Sequence, residues 1–581
     1  MRKTKIVCTI GPASEDKDTL RQMMEMGMNI ARLNFSHGIH AEHKKRIETI
    51  RTTALENNKT IAIMLDTKGP EIRTGKLQNG RIYLESGQTF TLTTRDIVGD
   101  ETQVSVNYSN LPQEIAKDTE ILLADGIIRL QVEQIENTDI MCRVLSGGEL
   151  TDKKGINIPG ARIKLPFLSE KDIEDINFGI DNKVDFIAAS FVRTADDVLQ
   201  IKRLLEQREA NIDIIAKIES QEGVDNLEDI IQIADGVMVA RGDLGVEIPA
   251  EDVPLVQKTI VEKCSLAGKV VIIATQMLES MMVNPRPTRA EVSDIANAVF
   301  DGADAIMLSG ETAAGKYPVE VVRTMARIAT RTEQVLPYTE ILRRRRVHGV
   351  LSVTDAISFA TCATALNLGA SAIITATTTG LTAKMVAKYR PQADIVAATP
   401  RPEILNKLAI VWGVNPVLIP ETEGTDSLFE ESVKQAIQNE YVKNGDLVVL
   451  TAGVPTGISG TTNLLKVHLI GEILLEGIGL GKETVKGKAR IVINPEDAEK
   501  INPGDIVVTT SAESFLAPYL SIISALIAEE GGLTSNAAVM GLNARIPVLV
   551  GAANCTSVLK DNMLITLDTP AGRVYRGMAN L

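Results

Sequence analysis

Eight short β-rich runs in the first 340 residues most constrain what this chain can fold into. They are KIVCTI (5–10), NIARLNF (29–35), IAIMLDT (61–67), VDFIAASFV (184–192), DIIAKIES (213–220), GVMVARGD (236–243), KVVIIATQM (269–277) and DAIMLSG (304–310). Each is apolar through its middle, as expected of a strand buried on both faces. Helical patterns separate most of them, EVVRTMARIATRTEQVL (320–336) after the eighth being the clearest. Eight strand–helix units predict a (β/α)8 TIM barrel, whose active site lies at the C-terminal ends of the strands.

One gap is too long for a helix. More than a hundred residues separate the third run from the fourth. RIYLESGQTFTLTT, TEILLADGIIRLQVEQIE and DIMCRVLSGGELTDKKGINIP alternate apolar and polar residues around glycine turns, which predicts a small inserted β-barrel domain. Leaving the end of strand three, it stands over the site as a lid. The expected organisation is a barrel over 1–69 and 166–345 with the lid at 70–165. The arginine run in ILRRRRVHGV (341–350) marks a solvated connection. SAIITAT, ADIVAATP, VNPVLIP and DLVVLTAG then predict a doubly wound α/β domain over 346–473. The last segment, 474–581, is β-leaning at both ends, with helices expected around APYLSIISALIAEE (517–530). GIGLGKET (477–484) is no P-loop, because its glycine spacing is wrong and Glu483 stands where a magnesium-binding hydroxyl belongs.

Composition narrows the function. A net charge of −14 over 581 residues argues against nucleic acid as the main partner. Five scattered cysteines, with no paired Cys or Cys/His spacing, argue against zinc and fit a reducing, cytoplasmic setting. No long uncharged apolar run or signal sequence is present, so no membrane association is expected.

The strand ends carry the chemistry. Arg32, Asn34 and Ser36 are two apart and share a face on an extended chain. They suit phosphate, a carbonyl or a monovalent cation, and equally a salt-bridged barrel rim. Asp66 and Thr67 end strand three, and Arg73 follows at the neck of the insertion. Lys217 and Glu219 share a face at the end of strand five; Asp243, beside Gly242, ends strand six. Carboxylates from neighbouring strands can hold one oxygen-ligated divalent ion, magnesium better than zinc. A lysine beside them can neutralise a transferring phosphoryl group. The bland alternative is a Lys217–Glu219 ion pair in a filled barrel. Charges at four strand ends make that less economical, since burying each costs several kcal/mol unless a metal or ligand offsets it. Thr275 and Gln276 end strand seven; Ser309, Glu311 and Thr312 end strand eight.

These stretches, RLNFSHG, DTKGPEIRTG, KIESQEG, ARGDLGVE, ATQMLESM followed by NPRPTRAEVSDIANAV, and DGADAIMLSGETAAGKYP, resemble the pyruvate kinase family motif for motif over residues 1–472. The resemblance implies phosphoryl transfer from phosphoenolpyruvate to ADP in glycolysis, with Mg2+ and K+. It implies that Glu219 and Asp243 hold magnesium, and that Lys217 and Arg32, assisted by Arg73, stabilise the phosphoryl group. Asn34, Ser36, Asp66 and Thr67 would form the potassium site, with Glu71 the residue type that accompanies potassium dependence. Backbone N–H groups at Gly242 and Asp243, with the Thr275 hydroxyl, would bind substrate carboxylate, and Thr275 belongs to the region that protonates the enolate. Asn34, His37, Arg73 and Lys154 would face the nucleotide. A cytoplasmic homotetramer is also implied.

ITATTTGLTAKMVAKYRP turns from a strand into a helix through Thr377, Thr378 and Thr379, with Thr382 following. Such hydroxyls suit an anion or an ordinary helix cap. In the family this position binds a phosphorylated allosteric effector such as AMP or a sugar phosphate, and TAGVPTGISGTTN (451–463) is similar to the effector loop. The final segment resembles the phosphohistidine domain of phosphoenolpyruvate-utilising enzymes through NPGDIVVTT, EEGGLTSNAAV and RIPVLVGAAN, but Asn536 stands where those enzymes carry histidine. A carboxamide nitrogen is not nucleophilic, because its lone pair is delocalised. The segment is therefore expected to be a retained fold rather than a phosphate carrier. A dikinase-like enzyme using that loop and a regulatory protein with a dead barrel are the competing readings. Asn536 weighs against the first; Arg32, Lys217, Glu219 and Asp243 weigh against the second.

Overall fold

A computed structural model describes residues 1–161, 163–345, 352–454, 462–471 and 473–577. The chain divides into two compact units, Met1–Tyr338 with Arg401–Pro416, and Thr339–Pro400 with Val417–Leu581.

In the first unit all eight anticipated runs are strands: β1 (Lys5–Thr9), β2 (Ile30–Asn34), β3 (Ala62–Asp66), β4 (Phe186–Ala189), β5 (Asp213–Ile218), β6 (Gly236–Ala240), β7 (Val270–Ala274) and β8 (Ala305–Leu308). They pair in parallel and in sequence order, and β8 closes on β1. Leu33, Leu65 and Ile218 join the core between strands and helices. Side chains alternate faces along a strand, so Arg32, Asp66 and Lys217 point into the barrel at its C-terminal end. Register places Asp66 beside Asn34 on one side and Ala188 on the other.

The chain leaves the barrel after β3 and returns before helix α2 (Glu170–Asp181); α1 is the earlier helix His40–Glu56. The insertion is mainly β, a seven-stranded sheet and a two-stranded ribbon around Phe90, Leu92, Leu130 and Ile140, with one short helix, Leu111–Glu114. Asp172, in the first turn of α2, is fully buried and touches both ends of it. One oxygen accepts from the Gly69 N–H at 3.0 Å where the chain leaves. The other accepts from the Ser169 N–H and Oγ, at 3.1 and 2.6 Å, where it returns. Gly69 adopts φ +71, and a Cβ there would lie 2.8 Å from Ser190 Cβ, so this exit requires glycine.

In the second unit Ala372–Ala376 pairs in parallel with Asp394–Thr399 and with Leu447–Gly453, and Thr462–Leu469 adds antiparallel. The C-terminal segment builds an eight-stranded sheet. Here one expectation fails. Only the start of the supposed helical stretch coils, within the 3-10 turn Ser514–Tyr519, while Ala525–Ala528 is a buried strand between Ile506–Thr509 and Val548–Val550. A short, wholly apolar run has no periodicity to tell a buried strand from a buried helix, and Pro518 stops helix growth before it. Ile478–Leu480 of the rejected P-loop is likewise a strand.

Candidate active site

Four charged side chains converge inside the C-terminal mouth of the barrel. Asp66, 1% exposed, accepts from Arg32 Nε at 2.6 Å and from Lys217 Nζ at 3.2 Å. Lys217 also lies 3.0 Å from Glu219 Oε1 and donates to Ser190 Oγ at 2.6 Å. Ser190 in turn donates to the Thr67 carbonyl at 2.7 Å. Arg32 Nη1 donates to Thr9 Oγ1 at 2.8 Å, which fixes its guanidinium on the β1 side.

The electrostatics separate the acids. Burial pushes Asp66 up, but Arg32 and Lys217 outweigh it and hold its carboxyl below the usual range. Burial would lower Lys217, yet Asp66 and Glu219 keep it firmly protonated. Glu219 is pushed up to about 7, by burial first and then by Asp243, with Lys217 only partly offsetting them. Burial also raises Asp243. Two neighbouring carboxyls that resist ionisation ask for a further cation. Among the described residues no group of three or more His, Cys, Asp or Glu side chains is placed to hold a metal, so an ion here would take its protein ligands from this pair.

Backbone strain concentrates here. Phe191 has φ +55 and aims its N–H at Glu219 Oε2, 2.6 Å away. Thr275 and Gln276 have φ +69 and +55, and a β-branched residue in that region costs about 1–3 kcal/mol. The Thr275 hydroxyl donates to its neighbour's carbonyl at 2.6 Å and accepts from the Gly242 N–H at 2.8 Å. Arg241 holds the turn with a two-pronged grip on Asp294 and a 2.7 Å bond to the Thr275 carbonyl. Helix α3 (Arg241–Glu247) thus starts under Gly242 and Asp243.

A cleft of 510 Å³ opens between barrel and insertion, lined by Glu71, Arg73, Lys154, Glu219 and Asp243 among others. Arg73 is held by Glu71, Nε to Oε2 at 2.7 Å, and donates to the Lys153 carbonyl at 2.9 Å. Asn157 Nδ2 bridges to Glu247 Oε1 at 2.9 Å, tying insertion to barrel beside the cleft. Asn34 and Ser36 meet at the strand end, through backbone as well as side chain. Asn34 ends β2, its Oδ1 accepts the Ser36 N–H at 3.0 Å, and Ser36 and His37 lie exposed in the following turn. Ser309, Glu311 and Thr312 brace the loops, Glu311 accepting from the Leu278 N–H and Thr312 donating to the Thr9 carbonyl. Ser190, Phe191 and Arg241 were not singled out from sequence. Ser190 left one usable signal, a hydroxyl at the end of one of the two strands without a chosen polar residue.

In the second unit Thr377 Oγ1 accepts from the Gly380 N–H at 3.0 Å, while Thr378 is half-buried and Thr379 exposed. Thr382 and Thr462 share a 2.8 Å hydroxyl bond. Residues 455–461 of the similar effector loop lie outside the described residues. At the C-terminal loop, Ser535 caps the helix Asn536–Ala544, and Glu530 accepts from the Ala537 and Ala512 N–H groups at 2.8 and 3.1 Å. The Ala537 and Ala538 amides of the first turn therefore have internal acceptors.

Comparison with known proteins agrees across the whole length. Residues 1–322 match the family described as pyruvate kinase, barrel domain; 355–468 match pyruvate kinase, alpha/beta domain; 501–572 match PEP-utilising enzyme, mobile domain. The pyruvate kinase of Geobacillus stearothermophilus is 52% identical and that of Staphylococcus saprophyticus 50%, each with all of both chains covered. A crystal structure of a pyruvate kinase from Cryptosporidium parvum superposes with a TM-score of 0.77 at 39% identity, covering 81% of this chain and 96% of that one. The chain belongs to the pyruvate kinase family of phosphotransferases and carries the mobile domain of PEP-utilising enzymes at its C-terminal end.

Proposed function

We propose that this enzyme transfers the phosphoryl group of phosphoenolpyruvate to ADP, giving pyruvate and ATP in glycolysis. The observation that carries the reading is the buried Arg32–Asp66–Lys217–Glu219 constellation beside Asp243 at the barrel mouth. Phosphoryl transfer asks a protein for position and charge stabilisation more than for covalent chemistry. Lys217 is held protonated and Arg32 is held in direction, so both are ready for a phosphoryl group passing between them. Arg73, steadied by Glu71, and Lys154 line the same cleft from the insertion, which suits them to nucleotide phosphates. Asn34 and His37 face ADP at the adjacent turn. The Gly242 and Asp243 amides with the Thr275 hydroxyl receive the substrate carboxylate, and the Thr275 region delivers the proton that turns enolate into pyruvate.

The donor set fits Mg2+. Glu219 and Asp243 are hard oxygen donors whose ionisation is resisted until a cation arrives, and their small number leaves positions for substrate oxygens and water. When bound there, Mg2+ would supply charge neutralisation for the phosphoryl and enolate oxygens. Asn34, Ser36, Asp66 and Thr67 supply oxygens at the neighbouring strand ends and suit K+; Asp66 is kept ionised. A phosphorylated effector, AMP or a sugar phosphate, would bind at Thr377, Thr378, Thr379 and Thr382 and regulate the enzyme. A cytoplasmic homotetramer is the assembly we expect. Pyruvate formation measured with Mg2+, K+, AMP and sugar phosphates added in turn tests the whole reading. Activity that ignores both metals would overturn it.

A further inference from the structure

An ion pair on α2 reaches the turn after β2 from outside the cleft, and none of the steps above uses it. Asp175 is 1% exposed, and its two oxygens are shared between Lys171 Nζ at 2.5 Å and His40 Nε2 at 2.7 Å. Lys171 is half-exposed, free to wander on its own account, yet Asp175 holds it so that Nζ donates to the Phe35 carbonyl at 3.0 Å. Phe35 lies between Asn34 and Ser36. Its ring is buried and stacked on His43, with centroids 4.0 Å apart, and His43 Nε2 bonds the His37 carbonyl at 2.9 Å. Its N–H donates to the Asp66 carbonyl at 3.0 Å. The turn is therefore gripped at both peptides flanking Phe35 and again at His37. The buried Phe35 carbonyl thus has a charged donor held on it by a buried carboxylate, a firmer fixing than a neutral partner gives.

We propose that Lys171 and Asp175 are positioning residues for a monovalent-cation loop. By fixing the Phe35 peptide they set the spacing of the Asn34 and Ser36 oxygens, and so the preference of the site for K+ over the smaller Na+. Selectivity between such ions follows from the size and field of a preorganised oxygen cage. This rests on the reading that Asn34, Ser36, Asp66 and Thr67 hold the cation.

The test uses full-length protein, Lys171→Met, and Lys171→Arg as the conservative rescue. Without cation or substrate, amide exchange over residues 34–38 should quicken in Lys171→Met by about tenfold, a local opening rather than a global one. Titrating KCl and NaCl against melting temperature, the ratio of K+ to Na+ affinity should fall at least about threefold in Lys171→Met and recover in Lys171→Arg. Asp175→Asn should reproduce the effect; since that residue is buried, the exposed Lys171 keeps the test decisive if it misfolds. Unchanged exchange and an unchanged ratio overturn the inference alone. A parent protein that does not discriminate K+ from Na+ overturns the potassium reading and the inference with it.

Discussion

Lys217 and Glu219 are two residues apart in sequence, and their side chains meet, Nζ to Oε1, at 3.0 Å inside the barrel mouth. The pair is unequal. Asp66 gives Lys217 a second anion, whereas Glu219 faces Asp243 and is left short of positive charge.

That inequality has a stability consequence. With Glu219 raised from 4.5 to about 7 by burial, the metal-free fold binds a proton that the unfolded chain releases. Stability is then lost as pH rises from 4.5 towards 7 and stays lost above it. Glu219→Gln should stabilise metal-free protein at pH 8, by at most on the order of 3 kcal/mol and with a higher melting temperature, while abolishing pyruvate formation. Calorimetry decides; a lower melting temperature would show that the Lys217 pairing outweighs burial.

The same carboxyl must give up its proton to ligate a divalent ion. Mg2+ affinity should hold steady above pH 7 and weaken below it, by up to about tenfold per unit. Isothermal titration at pH 6, 7 and 8 reads this directly, and a flat profile would mean that Glu219 is ionised throughout.

Lys217→Met should lower kcat by about 10²–10³ or more, the scale for removing one preorganised charge or donor from a transition state. The fold should also weaken, because Asp66 keeps Arg32 but loses its second cation. Steady-state kinetics beside thermal melting separates the two effects.

Asn536 begins a helix in which the next two amides, Ala537 and Ala538, are engaged by Glu530 and Ser535. Incubation of the full chain with phosphoenolpyruvate labelled in its phosphate should leave no acid-labile label. Labelling mapped to residues 529–540 would reopen phosphotransfer through this domain.

The fold was largely readable because buried parallel strands write themselves as short apolar runs. The convergence of Arg32, Asp66, Lys217 and Glu219 was readable for a related reason: strand alternation fixes which face a residue takes once the strand end is known. What escaped depends on backbone angles and distant partners. Phe191 reaches Glu219 only through a left-handed turn that its sequence does not announce. Asn34 and Ser36 looked alike by spacing, but β2 ends at Asn34, and Ser36 sits exposed in a turn with its N–H on Asn34 Oδ1. Ala525–Ala528 was misplaced because full burial erases the pattern that distinguishes strand from helix.

Asp172 joins the two places where the insertion meets the barrel. For the barrel, whatever lies between Gly69 and Ser169 is a detour that begins and ends at one carboxylate. Such a knot makes the insertion a replaceable part. It could be enlarged, trimmed or exchanged over generations while the strands beneath kept their register, so that the chemistry of the mouth and the shape of its cover were free to change at different speeds.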